Sequence, residues 1–414
     1  MNFCKTGCVG LGLALVFTAG ATGFGLYEPS SASHALGGAV LGRAVDASAN
    51  FNNPATLTDL TNVTVTAGVL TEHPRARMRV DGGKSTKMDP GCFWLPHVHA
   101  AVPLPWDFVF GLGIMPEYGL GTEYSDSWAL NWNSLDTTVE SFTVNPNLAY
   151  KVTDRWSVGA GARFLYFDFE QHSRPMAYYE GYNHGVLRNH LDGDNDMKDV
   201  GWQIGSSYRL RDDFAVGALY KSRTLVHVKG ISDTSVREAW DPYAAAVAKA
   251  TDGKARTTLD LPPSVTAGCN WDITDTVHLG GAVGWTEWST VDTLKFHLAK
   301  VEKPIRLHWQ DTWRYTIAPS WDFADDWTLL GSYAFETDCC HRQESTMLPP
   351  TTRHFLTAGL VWRAWKGLEL ALDYGIVLMH GGTTHLPDAS GNVHSYSPHR
   401  GLSHAVGFSV TYRF

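Results

Sequence analysis

From Leu402 to Phe414 the chain alternates strictly between two kinds of side chain. Leu402, His404, Val406, Phe408, Val410, Tyr412 and Phe414 form one series, and Ser403, Ala405, Gly407, Ser409, Thr411 and Arg413 the other. A β-strand sends successive side chains to opposite faces, so period two over this length predicts a strand with one apolar, aromatic face and one small, polar face. The pattern recurs upstream. Trp156, Val158, Ala160, Ala162 and Phe164 alternate with Ser157, Gly159, Gly161 and Arg163. Leu259, Leu261, Val265, Ala267, Cys269 and Trp271 alternate with Asp260, Ser264, Thr266 and Asn270. Ile305, Leu307, Trp309, Trp313, Tyr315, Ile317 and Trp321 alternate with Arg306, His308, Gln310, Arg314 and Thr316. Leu368, Leu370, Leu372, Tyr374, Ile376 and Leu378 alternate with Glu369, Ala371, Asp373 and Gly375.

A soluble sandwich hides the apolar face of such strands, whereas a membrane barrel turns it to lipid and lines its lumen with the polar face. Many of these segments run about 10–18 residues, against about 5–6 for the average globular strand. Trp and Tyr recur near strand ends on the apolar face, where an interfacial girdle requires them. Arg163, Asp260, Arg314, Glu369 and Asp373 fall on the polar face, and Asp311, the exception, is placed near the outer end of its strand. A Lys or Arg at mid-membrane on the lipid face costs roughly 2–4 kcal/mol. Composition agrees: only 18% of the 414 residues are charged, and 40 Gly, 18 Phe, 16 Tyr and 16 Trp replace them. A mean hydropathy of −0.17 excludes a helical membrane bundle. A net charge of −9 excludes the basic footprint of a nucleic-acid binder.

The start reads as an export signal: Lys5 in a short n-region, an apolar run from Val9 to Phe17, then Ala19-Gly20-Ala21. Residues 1–21 are therefore expected to be removed. Cys92, Cys269, Cys339 and Cys340 remain, with no zinc spacing, and Cys92 is within sequence reach of pairing with Cys339 or Cys340. Short polar links at 105–107, 153–155, 211–213, 274–276, 324–326 and 365–367 alternate with longer connections. Short turns on one side and long loops on the other predict fourteen antiparallel strands, starting near 62, 93, 107, 139, 155, 199, 213, 256, 276, 304, 326, 352, 367 and 401. Residues 22–61 lack alternation and are rich in Gly and Ala, so they are expected to plug the lumen of the barrel formed by 62–414.

Gly23-Phe24-x-Leu26 and Asn53-Pro54-Ala55, followed by 94–99, 118–124 and Asp311-Thr312-Trp313-Arg314, resemble, in order along the chain, the FadL-type outer-membrane transporters of long-chain fatty acids. The resemblance runs from Gly23 to Phe414. It implies a monomer in the Gram-negative outer membrane, among lipid and lipopolysaccharide, with no cofactor and no energy source. Cargo is collected between outer loops, passes to an inner pocket and leaves through a gap made by an inward kink of the third strand. Pro116, with Tyr118 and Gly119 after it, supplies a local reason for such a gap, because proline cannot donate to the ladder. Pro116 ending the strand at an outer loop is the other reading.

A fatty acid needs an apolar slot and a cation or donors for its head. The polar face of the expected tenth strand offers Arg306, His308, Gln310 and Arg314, and the fifth offers Arg163 with Arg174 beyond it; Phe24 and Leu26 are expected in the ligand path. Where the family carries Lys and Arg, this chain aligns Gln310 and Ser173, which leaves room for neutral or aromatic hydrocarbons. Loops 171–197 and 231–255 match the collecting groove, and an Ala-rich helix is expected after Pro242, with Trp240, Tyr243 and Val247 facing either cargo or the loop itself. Residues 192–196 echo a calcium loop without its Gly and Glu, and His97 and His99 share a strand face with no third metal ligand evident. The strand from Leu368 to Leu378 places no Ser beside His404 on the outer face, against a surface hydrolase. A general porin is the remaining alternative.

Overall fold

A computed structural model describes residues 23–414; the expected export signal, 1–21, lies outside the described residues. Fourteen strands form one closed antiparallel barrel. They are β1 Thr64–Val80, β2 Phe93–Pro103, β3 Phe108–Met115, β4 Asp136–Thr153, β5 Trp156–Ser173, β6 Asp199–Arg211 and β7 Phe214–Lys221, then β8 Ser264–Asp272, β9 Val277–Thr286, β10 Thr312–Ala324, β11 Trp327–Glu336, β12 Thr351–Trp365, β13 Leu368–Gly381 and β14 Val393–Arg413. Each pairs with its neighbour in this order, and β14 returns to β1 from Thr64↔Arg413 to Val80↔Tyr396. Closure leaves no sheet edge except where the second and third strands part beyond Val98, as a bilayer demands because lipid offers backbone groups no partners. The apolar series lies outside: Trp202, Ile317 and Leu372 are each just over half exposed, at 52%, 51% and 55%.

The strand count agrees with the sequence reading, but two registers do not. The eighth strand begins at Ser264, not near 256, and the tenth at Thr312, not near 304. Gly253–Leu261, which carries Asp260, pairs with Thr224–Ala239 above the barrel, and Pro262 and Pro263, unable to donate, separate it from β8. Val301–Arg306 likewise pairs with Thr293–Leu298 in an outer hairpin. His308 then takes a φ of 45°, and Leu307 and Trp309 turn into the buried core rather than to lipid. β14 starts at Val393 rather than near 401, and β1 runs on past Leu70 to Val80, because both continue as outer extensions. No disulfide forms among the described residues: Cys92, Cys269, Cys339 and Cys340 are free.

Residues 23–60 sit inside the ring, with α1 (Ser31–Ala35), α2 (Ala49–Asn52) and a 3-10 turn, Pro54–Asp59. The Asn-Pro-Ala tripeptide has a physical role. The Asn53 side chain accepts from the Ala55 amide at 3.1 Å, caps the turn that Pro54 begins, and donates to the Leu41 carbonyl at 2.6 Å and to the Ser206 carbonyl of β6 at 3.1 Å. Wall glycines let this segment approach. A Cβ on Gly217 would lie 1.8 Å from the Leu41 oxygen, and one on Gly159 would lie 2.5 Å from the Pro54 carbonyl carbon. His34 of α1 meets Asp373 of β13 at 2.5 Å, and Arg43 grips Asp272 of β8 with contacts of 2.7 and 2.5 Å.

Gly217→Ala is therefore expected to push the inner segment off the wall and destabilise the protein by about 1–3 kcal/mol. Gly281→Ala, whose Cβ would meet nothing closer than 3.7 Å, is expected to leave stability unchanged. Urea unfolding in detergent, followed by tryptophan fluorescence, compares the two.

Candidate ligand-binding site

The third strand breaks where Pro116 stands. β3 pairs with β4 as far as Met115↔Thr143, and the chain resumes pairing at Gly119↔Glu140, so Pro116, Glu117 and Tyr118 oppose only Ser141 and Phe142. One extra residue on one strand is a bulge, which bends the strand and re-aims its side chains. Toward β2 the ladder covers Val98–Pro103 alone, while Phe93–His97 of β2 are paired on their other side with β1. The inner segment satisfies part of the broken strand. The Leu26 amide donates to the Glu117 carbonyl at 2.8 Å, and the Gly119 amide donates to the Phe24 carbonyl at 2.7 Å. Ser141 of β4 does the rest, accepting from the Tyr118 amide at 2.9 Å and donating to its carbonyl at 2.8 Å.

Glu117 continues the inward series of Val109, Gly111, Gly113 and Met115, and the bulge brings Tyr118, which simple alternation would send to lipid, inside with it. Glu117 is 4% exposed, and its carboxylate meets Arg163 of β5 at 2.7 and 3.2 Å, Lys221 at the end of β7 at 3.1 Å and the Thr143 hydroxyl at 2.9 Å. The Lys221 ammonium also lies 3.1 Å from the centroid of the Phe51 ring in the inner segment. Two cations share one carboxylate, so this buried group carries a surplus positive charge. Arg163 reaches the Tyr118 hydroxyl at 3.3 Å, and the Tyr118 ring lies 5.9 Å from that of Phe24.

Phe24 opens the apolar half of the site. Its ring packs edge-on against Phe167 at 6.2 Å, Trp288 at 5.2 Å and Trp309 at 5.7 Å. Leu120, Val139, Leu259 and Leu348 extend the lining around a wholly apolar cavity of about 30 Å³. So small a space holds no chain molecule without side-chain movement. A second cavity of about 80 Å³ lies between the inner segment and β7–β10, with Lys221 and Arg314 in its wall. Arg314 is held between the Tyr27 and Phe355 rings, 4.5 and 4.2 Å from their centroids, and bonds to Glu336 at 2.9 Å.

The residues singled out in the sequence separate into two groups. Phe24, Arg163, Tyr118 and Gly119 meet at the bulge, Leu26 packs beside them against Leu70 and Leu95, and Arg314 lines the second cavity. Arg306, His308 and Gln310 do not line the tenth strand. Arg306 is largely exposed in the outer hairpin, 3.6 Å from Glu344, and His308 is exposed and bonded to Asp292 at 2.7 Å. Gln310, in the link before β10, turns toward Arg342. Arg174 pairs with Asp126 at 2.6 Å in the outer loops, and Asp311 accepts from the Ser289 amide. Glu117, Lys221, Trp288 and Trp309 were missed. Only Glu117 carried a signal, since it falls on the same odd-numbered face as Val109, Gly111, Gly113 and Met115.

Outside the barrel mouth, α3 (Pro242–Thr251) follows Pro242 as expected. Asp241 caps it, accepting from the Tyr243 amide at 2.8 Å and meeting His184 at 2.5 Å; that bond to His184 holds the Asp241 carboxyl below its ordinary range. Val247 packs into the loop's own small core and Tyr243 stacks on Tyr179 at 5.2 Å, while Trp240 stays exposed. His97 and His99 are buried lumen residues bonded to Ser409 and the Pro29 carbonyl.

A closed fourteen-stranded barrel, an inner segment bonded to a broken strand, and an apolar pocket beside it define an outer-membrane transport protein for hydrophobic compounds. The chain belongs to the outer membrane protein transport family that includes OMPP1, FadL and TodX, whose family model matches residues 12–414. It is 26% identical over 410 residues to the long-chain fatty acid transport protein of Escherichia coli K12, covering 89% of this chain and 90% of that one. Outer membrane protein P1 of Haemophilus influenzae is 22% identical over 371 residues, covering 83% and 76%. Among solved structures, a Pseudomonas aeruginosa FadL homologue superposes with a TM-score of 0.83 at 18% identity, covering 95% of this chain and 100% of that one. The Pseudomonas putida toluene transporter TodX gives 0.74 at 16% identity, covering 95% and 100%.

Glu117→Ala leaves Arg163 and Lys221 buried without their carboxylate. It is expected to cost about 3–5 kcal/mol, read as an earlier midpoint in urea unfolding of the detergent-solubilised protein.

Proposed function

We propose that this protein takes up long-chain fatty acids by passive passage, and that the site beside the β3 bulge holds the cargo in transit. One observation carries the reading: an apolar pocket walled by Phe24 is separated only by the Phe24 and Tyr118 rings from a buried group in which two cations share one carboxylate. An amphiphile fits that pairing, its tail gaining roughly 0.8 kcal/mol per buried methylene and its carboxylate meeting a charge-assisted donor. Lys221 is the head-group residue we favour, because Arg163 already holds Glu117 through two nitrogens whereas Lys221 contributes a single contact. Cargo is collected at the outer loops near Trp240, displaces Phe24 and its neighbours, and leaves sideways through the gap between β2 and β3. With this reading go residues 1–21 as export signal, 22–61 as plug, and a monomer surrounded by lipid and lipopolysaccharide. No step requires catalysis.

A second reading, uptake of neutral or aromatic hydrocarbons, is favoured by the ring-lined pocket and by the partners that Arg163, Lys221 and Arg314 already have. Lys221→Met separates the two. It is expected to weaken oleate binding 10-fold or more and to leave binding of an alkane of equal length unchanged, measured by competition with a fluorescent lipid; equal loss for both ligands counts against a head-group role. In a planar bilayer the intact protein is expected to pass no large steady ion current, and such a current would favour a general porin.

A further inference from the structure

Above the bilayer, β4, β5 and two loop strands, Tyr182–Asp194 and Thr224–Ala239, lie side by side. Their register sets Asp136 opposite His172, His172 opposite His190, and Glu170 opposite Asp192. Phe169, Gln171 and Ser173 are buried on the inner face of β5, so Glu170 and His172 stand on its outer face, partly exposed. Side chains directly opposite on one face of an antiparallel pair have Cβ atoms about 4.5–5.5 Å apart. Here the His172 and His190 rings stack almost parallel, 8° apart in plane and 4.2 Å between centroids.

The remaining contacts orient these rings. Asp136 meets His172 Nδ1 at 2.7 Å, which leaves Nε2 of that ring as the free nitrogen. A carboxylate behind one ring nitrogen, with the other nitrogen bare, is the arrangement that orients metal-binding histidines. Glu170 lies 2.9 Å from His190 Nε2, and ligand atoms of Glu170, His172 and His190 all fall within 4.8 Å of one another. Glu170 and Asp192 sit directly opposite as like charges, a pairing that opposes strand association unless a cation joins them.

We infer that Glu170, His172 and His190 form a divalent transition-metal site on the outer face, with Asp136 positioning His172. Two imidazoles and one carboxylate suit zinc, copper or nickel; calcium and magnesium take all-oxygen sets. Binding replaces the Glu170–His190 hydrogen bond with two bonds to the metal. Such an ion ties the top of β5 to the loop strand against which α3 packs, and so braces the outer loops. The inference is independent of the cargo.

The test is titration of the full-length, chelator-treated protein in detergent with zinc alone, by calorimetry. One tight site is expected for the native chain. His190→Ala is expected to weaken it at least 100-fold and Asp136→Asn about 10-fold, the effect of losing an orienting partner. X-ray absorption on the zinc-loaded protein is expected to report two imidazole nitrogens near 2.0–2.1 Å. An absent site in the native chain overturns the inference, and so does a site unchanged by His190→Ala or one that equimolar calcium displaces, which would mark the acidic surface alone. Both substitutions lie on an exposed face, and an unchanged urea midpoint identifies loss of the site rather than of the fold.

Discussion

Every backbone amide and carbonyl within the bilayer must find its partner inside the protein, and the closed ring of ladders, sealed by β14 on β1, meets that demand for almost the whole wall. The departure at Pro116 is therefore the most informative feature of the structure. Opening the ladder costs hydrogen bonds that lipid cannot return. The chain recovers them from its own N-terminal segment and from a serine hydroxyl. The broken strand, the plug-like inner segment and the pocket are thus one construction: the backbone of Phe24 and Leu26 repairs the wall, and the Phe24 side chain fills the apolar cavity beside it.

The buried charges gather at the same break. Glu117 lies on the inward series of the third strand, and the bulge adds Tyr118, from the opposite series, to the lumen beside it. Its carboxylate makes Arg163 and Lys221 tolerable in a dry interior, since an unpaired buried ion costs several kcal/mol. The remaining positive charge is the property on which a choice between a carboxylate and a hydrocarbon turns.

Legibility from the sequence varied along the chain for physical reasons. The fourteen-strand count, the two-faced wall and the turns were plain because lipid and lumen impose opposite chemistry on alternate residues. The same alternation misled at 256–261 and 304–309. A hairpin above the membrane has a buried and a solvated face too, so its period matches that of a spanning strand. Arg306 and His308 were drawn into the expected lumen by that coincidence. Lys221 was overlooked because it ends a short strand with nothing local to mark it, and its partners lie far away at positions 51 and 117.

The sequence by itself determined the barrel and the side of each wall strand that meets lipid, and marked Pro116 as either a break or an end of the third strand, since periodicity, charge placement and proline act locally. Tertiary structure alone decided which cations share the lumen with Glu117, which outer strands stack above the wall, and that His172 and His190 face each other across a ladder. Those pairings depend on strand register between segments distant in the chain, and register is set by closure of the whole sheet rather than by any neighbouring residues.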